Sequence, residues 1–406
     1  MSVAEEHRTH LVCLMEAAGR EELAPLSALA GTGHCRVTVA GAPPDVDGAA
    51  GLEPWPGGSP PSFGEEGQRG SIAALLRGAR RRPGDTWSAL REALETDRMG
   101  HLLTGALLAD GLAGTEPDVI YARGGGNDAL AAGQAASLMS VPLLLRLQAC
   151  DVESPESLSR LRLLASSARR ILVPSLATAS RMEETGIADP SRIQLARPGV
   201  RISDLESRRT RSATGPVAVC VAPGLAPRSG VRVLLEAVRL LQAGVPGLSV
   251  RVIGKDQSGR RLGRYRQAVE TGCLAGVVEM VGAPDHSEAM EMLSKADMLL
   301  LPSVRAADGD VDDVPVPLAE AFAMGVPVVA SRISGIPELV SHGCTGLLAR
   351  PNDPADLAAT VRWALEHSQE MARMGAAAAG LAAEELDASR VAEGLVRIVE
   401  DVSGRL

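Results

Sequence analysis

Aromatic side chains are scarce in this sequence: three Trp, two Tyr and two Phe among 406 residues. A ligand site made of stacked aromatic faces therefore has little material to draw on. Long apolar runs are missing as well, and none approaches the ~20 residues of a membrane span. The opening residues, MSVAEEHRTH, carry no basic segment ahead of a long apolar stretch, so no secretory signal is expected. Cysteine pairing signals are absent. Cys13, Cys35, Cys150, Cys220, Cys273 and Cys344 lie far apart with no CxxC. Most sit in apolar runs, so they read as buried free thiols in a reducing cytoplasm and not as a zinc or disulfide framework. Excess positive charge is lacking too. A net charge of −9 and a pI near 5.4 argue against nucleic acid as the main partner.

What is present is a globular composition, 45% hydrophobic and 22% charged. At about 100–200 residues per domain, the length predicts two to three domains. Leu11–Met15, a helix near Arg20–Ala30 and Arg36–Ala40 read as a βαβ unit, with Gly31 and Gly33 at the helix stop. Residues 43–70 are rich in Pro and Gly and have no period, so a long surface loop is expected, either disordered or the mobile rim of a cleft. Apolar spacing predicts helices over 71–112. The run Arg80-Arg81-Arg82-Pro83 within them reads either as a charged helix end or as a contact for an anionic membrane surface.

Strands follow at Asp118–Tyr121, Val141–Leu147 and Ala168–Pro174, with a helix at Ser175–Glu184 and a last strand and turn at Arg192–Val200. After the first comes Gly124-Gly125-Gly126-Asn127-Asp128. This stretch is either an anion cradle or a tight turn, with Asn127 or Asp128 capping the next helix. Residues 201–214 are polar and lack apolar periodicity, and read as an interdomain linker. From Val217 onward strands and helices alternate, which predicts a doubly wound parallel sheet. A last helix over 388–401 carries an apolar stripe at Val391, Leu395 and Ile398 that needs a surface to cover it.

One stretch gathers the polar chemistry: LLLPSVRAADGDVDDVPVPLAEAFAMGVPVVA, from Leu299 to Ala330. An apolar strand ends at Pro302-Ser303, an acidic loop follows, and a Pro-initiated helix brings in Glu320. Such an arrangement places a polar-ligand site at the carboxyl edge of a parallel sheet. The blander reading of Asp308, Asp310, Asp312 and Asp313 is a solvated acidic surface. The spacing of a calcium loop is absent.

The order of motifs from Val217 to the C-terminus resembles the retaining nucleotide-sugar glycosyltransferases of the GT-B, family 4-like type, in particular the bacterial exopolysaccharide (colanic-acid-like) branch. The segment AADGDVDDVPVPLAEAFAMGVPVVASRISGIPELVSHGCTGLLARPNDPADLA carries the resemblance most strongly. HCRVTVAGAPP and VPSLATASRM match more loosely in the N-terminal half. The resemblance implies an α/β protein of two Rossmann-like, doubly wound parallel-sheet domains facing a cleft. Residues 1–200 would form the acceptor side, 201–214 the linker and 215–385 the nucleotide-sugar domain, with 386–406 a terminal helix packing back on the first. It implies no metal and no cofactor, the donor being a UDP- or GDP-sugar used as substrate. It implies a polysaccharide, lipid-linked or natural-product acceptor, and a location in the cytoplasm or at the inner membrane face.

The family's acidic pair is Glu-x7-Glu. Glu320 matches the second member, whose implied role is to hydrogen-bond the donor ribose. Asp312, a shortened carboxylate, stands at the first and would address the donor sugar. These two form the implied catalytic pair, within a donor-binding set of Arg228, Gly230, Asp313, Val314, Pro315, Val316 and Glu320. Gly124, Gly125, Gly126 and Gln148 fall on the acceptor side.

Three positions depart from the family. Gly224 stands where its phosphate-binding Arg belongs, Ser229 replaces the Lys and Gln148 the N-domain His. Arg228 remains as the neighbouring cation, either a bidentate phosphate fork or a solvent-facing loop residue. Pro317 at the helix start would delete one amide from an anion-binding end. The expected function is therefore sugar transfer from a nucleoside-diphosphate donor. The alternative is a catalytically impaired member serving as scaffold or regulatory partner of a true transferase. A third reading, another nucleotide held by the GGGND loop, has only that loop behind it.

Overall fold

Thirteen strands alternate with helices along the chain and sort into two parallel sheets, among the residues described in this computed structural model. Those residues are 9–14, 20–32, 35–40, 53–54, 65–82, 84, 86, 89–91, 99–112, 115–153, 158–205, 216–256 and 259–404. The chain falls into two compact units. Unit 1 takes residues 1–174, 179–199 and 388–406, and unit 2 takes 175–178 and 200–387.

The unit 1 sheet contains β1 (Thr9–Leu14), β2 (Cys35–Ala40), β3 (Glu53–Pro54), β4 (Val119–Arg123), β5 (Leu143–Arg146), β6 (Ala168–Val173) and β7 (Ile193–Leu195). Their order is β3-β2-β1-β4-β5-β6-β7, so the winding reverses between β1 and β4. The helices are α1 (Arg20–Gly31), α2 (Glu65–Arg81), α3 (Met99–Leu112), α4 (Asn127–Met139), α5 (Ala149–Glu153), α6 (Leu158–Ser167) and, from Ala179 on, α7 (Leu176–Glu184), whose first residues through Thr178 belong to unit 2. In β5 every residue is buried, as expected of a strand covered on both faces.

The unit 2 sheet contains β8 (Val217–Val221), β9 (Ser249–Ile253), β10 (Val278–Gly282), β11 (Met298–Leu301), β12 (Val328–Ser331) and β13 (Leu347–Ala349). They lie in the order β10-β9-β8-β11-β12-β13, reversing between β8 and β11. The helices here are α8 (Val231–Leu241), α9 (Arg260–Thr271), α10 (His286–Ser294), α11 (Val316–Ala323), α12 (Ile336–Leu339), α13 (Pro354–Glu366) and α14 (Ser368–Glu385). Helix α8 buries Val231, Leu234, Leu235, Val238 and Leu241 in the core beside β8. That spacing puts one apolar stripe along the helix.

The terminal helix α15 (Ala388–Ser403) belongs to unit 1. Its Ala392, Leu395, Val396, Val399 and Val402 are buried among Leu11, Leu26, Leu29 and Tyr121. The buried face is centred slightly off the stripe read from the sequence, since Val391 and Ile398 stay only partly covered.

The structure corrects several boundaries. Helix α2 starts at Glu65 and β3 lies at Glu53–Pro54, both inside the loop expected over 43–70. The rest of that loop, 43–52 and 55–64, lies outside the described residues, as do 206–214 of the expected linker. The Pro/Gly-rich approach hides the start of α2, whereas its end is marked by Arg80 and Arg81, which suit the helix dipole. The arginine run is a charged helix end. Arg77 forks onto Asp110 of α3 at 2.9 and 2.7 Å, Arg81 sits 3.8 Å from the same carboxylate, and Arg82 donates to the Met139 carbonyl. Helices α5, α6 and α14 had no counterpart in the sequence reading.

Candidate functional site

In a doubly wound sheet, ligands bind beyond the carboxyl ends of the strands where the winding reverses. In unit 2 that point lies between the loops after β8 and β11. The loops are clasped together. The Val304 amide donates to the Arg228 carbonyl at 2.8 Å. Gly230 has φ +67, and a Cβ there would stand 1.8 Å from the Pro302 carbonyl oxygen, so only glycine fits.

Arg228 is partly buried and folds back onto the acidic loop. Its Nε donates to Asp312 Oδ1 and its Nη1 to Asp310 Oδ2, each at 2.6 Å. Ser303 Oγ donates to the other Asp312 oxygen at 3.3 Å. Burial pushes the Asp312 carboxyl above the usual range, against the opposing pull of Arg228 and Ser303. For Arg228, burial works to lower the pKa, but Asp312 and Asp310 outweigh it and hold the guanidinium more firmly charged. Beneath them the Cys220 thiol is pushed up to about 12, first by burial and then by Asp312. The Ser229 hydroxyl and Asp310 Oδ1 are buried with no hydrogen-bond partner among the described residues.

The second cluster is built on α11. Pro315 is its N-cap without a side-chain cap, Val316 opens it, and Pro317 occupies the second helical position, one later than expected. Glu320 is 7% exposed, and its Oε1 lies 2.7 Å from His286 Nε2. His286 opens α10, where Asp285 and Glu288 form a reciprocal capping box. The sequence reading passed over His286. The D-x-x-E signal at Asp285–Glu288 would have placed it in the first turn of a helix leaving the sheet edge.

Asp313 anchors the acidic loop. Thr178 Oγ1 donates to it at 2.5 Å and Ser334 Oγ at 3.5 Å. Burial raises its carboxyl against the hydrogen bonds from Ser175 and Thr178. Val314 is buried in the core with Leu318 and Ile336, and Val316 packs on the same cluster. The structure thus brings Arg228 and Asp312 together and pairs Glu320 with a residue the sequence reading missed. Asp313, Val314 and Val316 are spent on anchoring and packing.

In unit 1 the reversal lies beside the loop after β4. Gly124 has φ +80, and its amide donates to the Arg146 carbonyl at 2.8 Å. Asp151 accepts from the Gly125 amide at 3.0 Å and from the Gln148 amide at 2.8 Å. One carboxylate therefore ties Gly125 to Gln148, and burial holds it above the ordinary range against those two bonds. Gly126 is the N-cap of α4 and offers no side chain, so neither Asn127 nor Asp128 caps the helix. With the Gly125 amide already taken, the loop has the character of a braced turn. Among the described residues, no group of three or more His, Cys, Asp or Glu could hold a metal.

Residues 203–380 match the model of the family "Glycosyl transferases group 1". WcaL of Salmonella typhimurium, named for colanic acid biosynthesis, is 37% identical over 181 residues, 45% of this chain and 44% of its own. The amylovoran biosynthesis glycosyltransferase AmsK of Erwinia amylovora is 34% identical over 168 residues, 41% of this chain and 40% of its own. Each match spans less than half the relative's length. Among solved structures, Anabaena HepE in complex with UDP and glucose superposes with a TM-score of 0.71 at 18% identity, covering 97% of this chain and all of that one (100%). Sucrose-phosphate synthase from Thermosynechococcus elongatus gives 0.72 at 15% identity, covering 98% of this chain and 100% of its own.

The fold is therefore GT-B. The resemblance to the group 1 glycosyltransferases lies within residues 203–380, all of them in unit 2.

Proposed function

We propose that this protein transfers a sugar from a nucleoside diphosphate to a saccharide or lipid-linked acceptor in exopolysaccharide biosynthesis, with retention of anomeric configuration. Glu320 carries the proposal. It is a buried carboxylate at the sheet edge where ligands of this fold bind, inside the matched stretch, and it aligns with the second Glu of the Glu-x7-Glu pattern, whose implied role is to hold the ribose. In this reading Glu320 accepts from the donor ribose, and the diphosphate takes over the Arg228 guanidinium from Asp310 and Asp312. Asp312, so released, faces the donor sugar, and the departing phosphate assists the acceptor hydroxyl. UDP and GDP are the candidate leaving groups, and the protein's own residues supply the charge stabilisation without a metal.

One observation favours a second reading. Arg228, the cation next to the family's phosphate-gripping positions, is already neutralised by two carboxylates, with Gly224 and Ser229 at the positions themselves. A non-catalytic partner of another transferase would tolerate that arrangement. Calorimetric titration with UDP and GDP, in wild type and Glu320→Ala, tests nucleotide recognition. Binding below millimolar that is lost in Glu320→Ala supports the donor site. No binding of either nucleotide sinks it. Tight binding without donor hydrolysis or transfer to a panel of acceptors favours the partner reading.

A further inference from the structure

His286 was not among the residues that the family pattern brought forward, yet it is the side chain that holds Glu320. Its Nε2 lies 2.7 Å from Glu320 Oε1, a pair of 31% and 10% side-chain exposure. Glu320 Oε2 has no hydrogen-bond partner among the described residues, and it is not sealed from solvent. A carboxylate has two oxygens and about four acceptor directions. Anchoring one oxygen fixes the plane of the group and aims the other.

The two side chains also come from different elements. His286 opens α10 after β10, at the sheet's edge, and Glu320 rides on α11 after β11, at the reversal point. The hydrogen bond therefore fixes the carboxylate from a second, independently anchored helix. The capping box of Asp285 and Glu288 holds the first turn of α10 in place, and with it the imidazole.

We propose that His286 is a positioning residue that orients Glu320 to accept from the ribose hydroxyls of a nucleoside diphosphate. The protein thereby distinguishes ribonucleotides from their deoxy counterparts. This rests on the donor reading above. His286 does not touch the ribose; it acts through Glu320, so its removal weakens binding of the ribonucleotide and leaves binding of the dideoxy form, which lacks those hydroxyls, unchanged.

The test is calorimetric titration of the full chain with UDP, GDP and the 2′,3′-dideoxy forms of both. Wild type prefers the ribose form by about tenfold or more, the scale of one hydrogen bond to a charged acceptor. In His286→Ala the preference falls toward unity while dideoxy binding holds. His286→Gln, whose amide can still donate, recovers part of it. His286→Leu, which keeps the volume without the donor, behaves as the alanine variant and serves if the latter does not fold. In the Glu320→Ala background, removing His286 changes the preference no further. A wild-type preference that survives His286→Ala or His286→Leu overturns the inference and leaves the donor reading standing. So does an equal loss for ribose and dideoxy forms. A wild type that binds none of the four nucleotides overturns both.

Discussion

Two clusters at the same sheet edge of unit 2 differ in how they treat their charges. Around α11 a single buried carboxylate, Glu320, is held by one imidazole and keeps an oxygen available. Around the loop after β8, Arg228 is held by Asp310 and Asp312, and all three side chains are at most 29% exposed. The first cluster is organised to receive hydrogen bonds from a ligand. The second is closed on itself, with the cation that would meet a diphosphate occupied by the protein's own acids. A ligand can engage the first by adding contacts, whereas it must displace contacts from the second. In the proposed donor site, the carboxylate that meets the ribose is available, whereas the cation that meets the diphosphate must first be released from Asp310 and Asp312.

The comparison can be broken most severely at Gly230, where the two loops meet. Gly230→Ala would drive a Cβ into the Pro302 carbonyl at positive φ, and is expected to destabilise unit 2 by about 4 kcal/mol or more, read from urea unfolding. Next comes Arg228→Ala, which leaves two half-buried carboxylates facing each other. A loss of about 2 kcal/mol is expected in the same measurement, with Arg228→Lys recovering only part because the fork is gone. Asp310→Asn has a smaller effect in the opposite direction. It loosens the hold on Arg228 and is expected to tighten UDP or GDP binding about threefold to tenfold, leaving the bare nucleoside unchanged in calorimetry.

The smallest effect is on pH dependence. The folded-state pKa of Asp313 is raised by burial. Below the unfolded value near 3.8 it is protonated in both states, so its contribution to stability is fully present. As pH climbs through the raised folded value, the native state gives up a proton that the unfolded state has already lost, and that contribution disappears. Unfolding free energy therefore falls with rising pH over this window, and Asp313→Asn is expected to flatten the slope.

Much of this architecture was legible in the residues. Apolar strands such as Met298–Leu301 and Val328–Ser331 are buried throughout, and their alternation with amphipathic helices announces a parallel sheet. The place of Glu320 on a buried helix at the sheet edge was legible from the Pro-initiated apolar run around it. The start of α2 was hidden by a Pro- and Gly-rich approach. Helix α14 was hidden by a run of alanines with little contrast between its faces. The partners were the least legible part of the site. The Arg228 clasp joins residues more than 80 positions apart, and the His286–Glu320 pair joins two helices 34 positions apart. No local period encodes either. Asp151 escaped notice for the same reason, since its hold on Gly125 depends on β4 lying beside β5.

Titrating UDP and GDP into Glu320→Ala and Arg228→Ala side by side tests the asymmetry most directly, with folding of each variant verified by its melting transition. The expected result is that Glu320→Ala loses more affinity than Arg228→Ala, because the first removes a group ready for the ligand and the second a group already engaged. A larger loss in Arg228→Ala would contradict the account and make the phosphate grip, not the nucleoside pocket, the dominant half of the site.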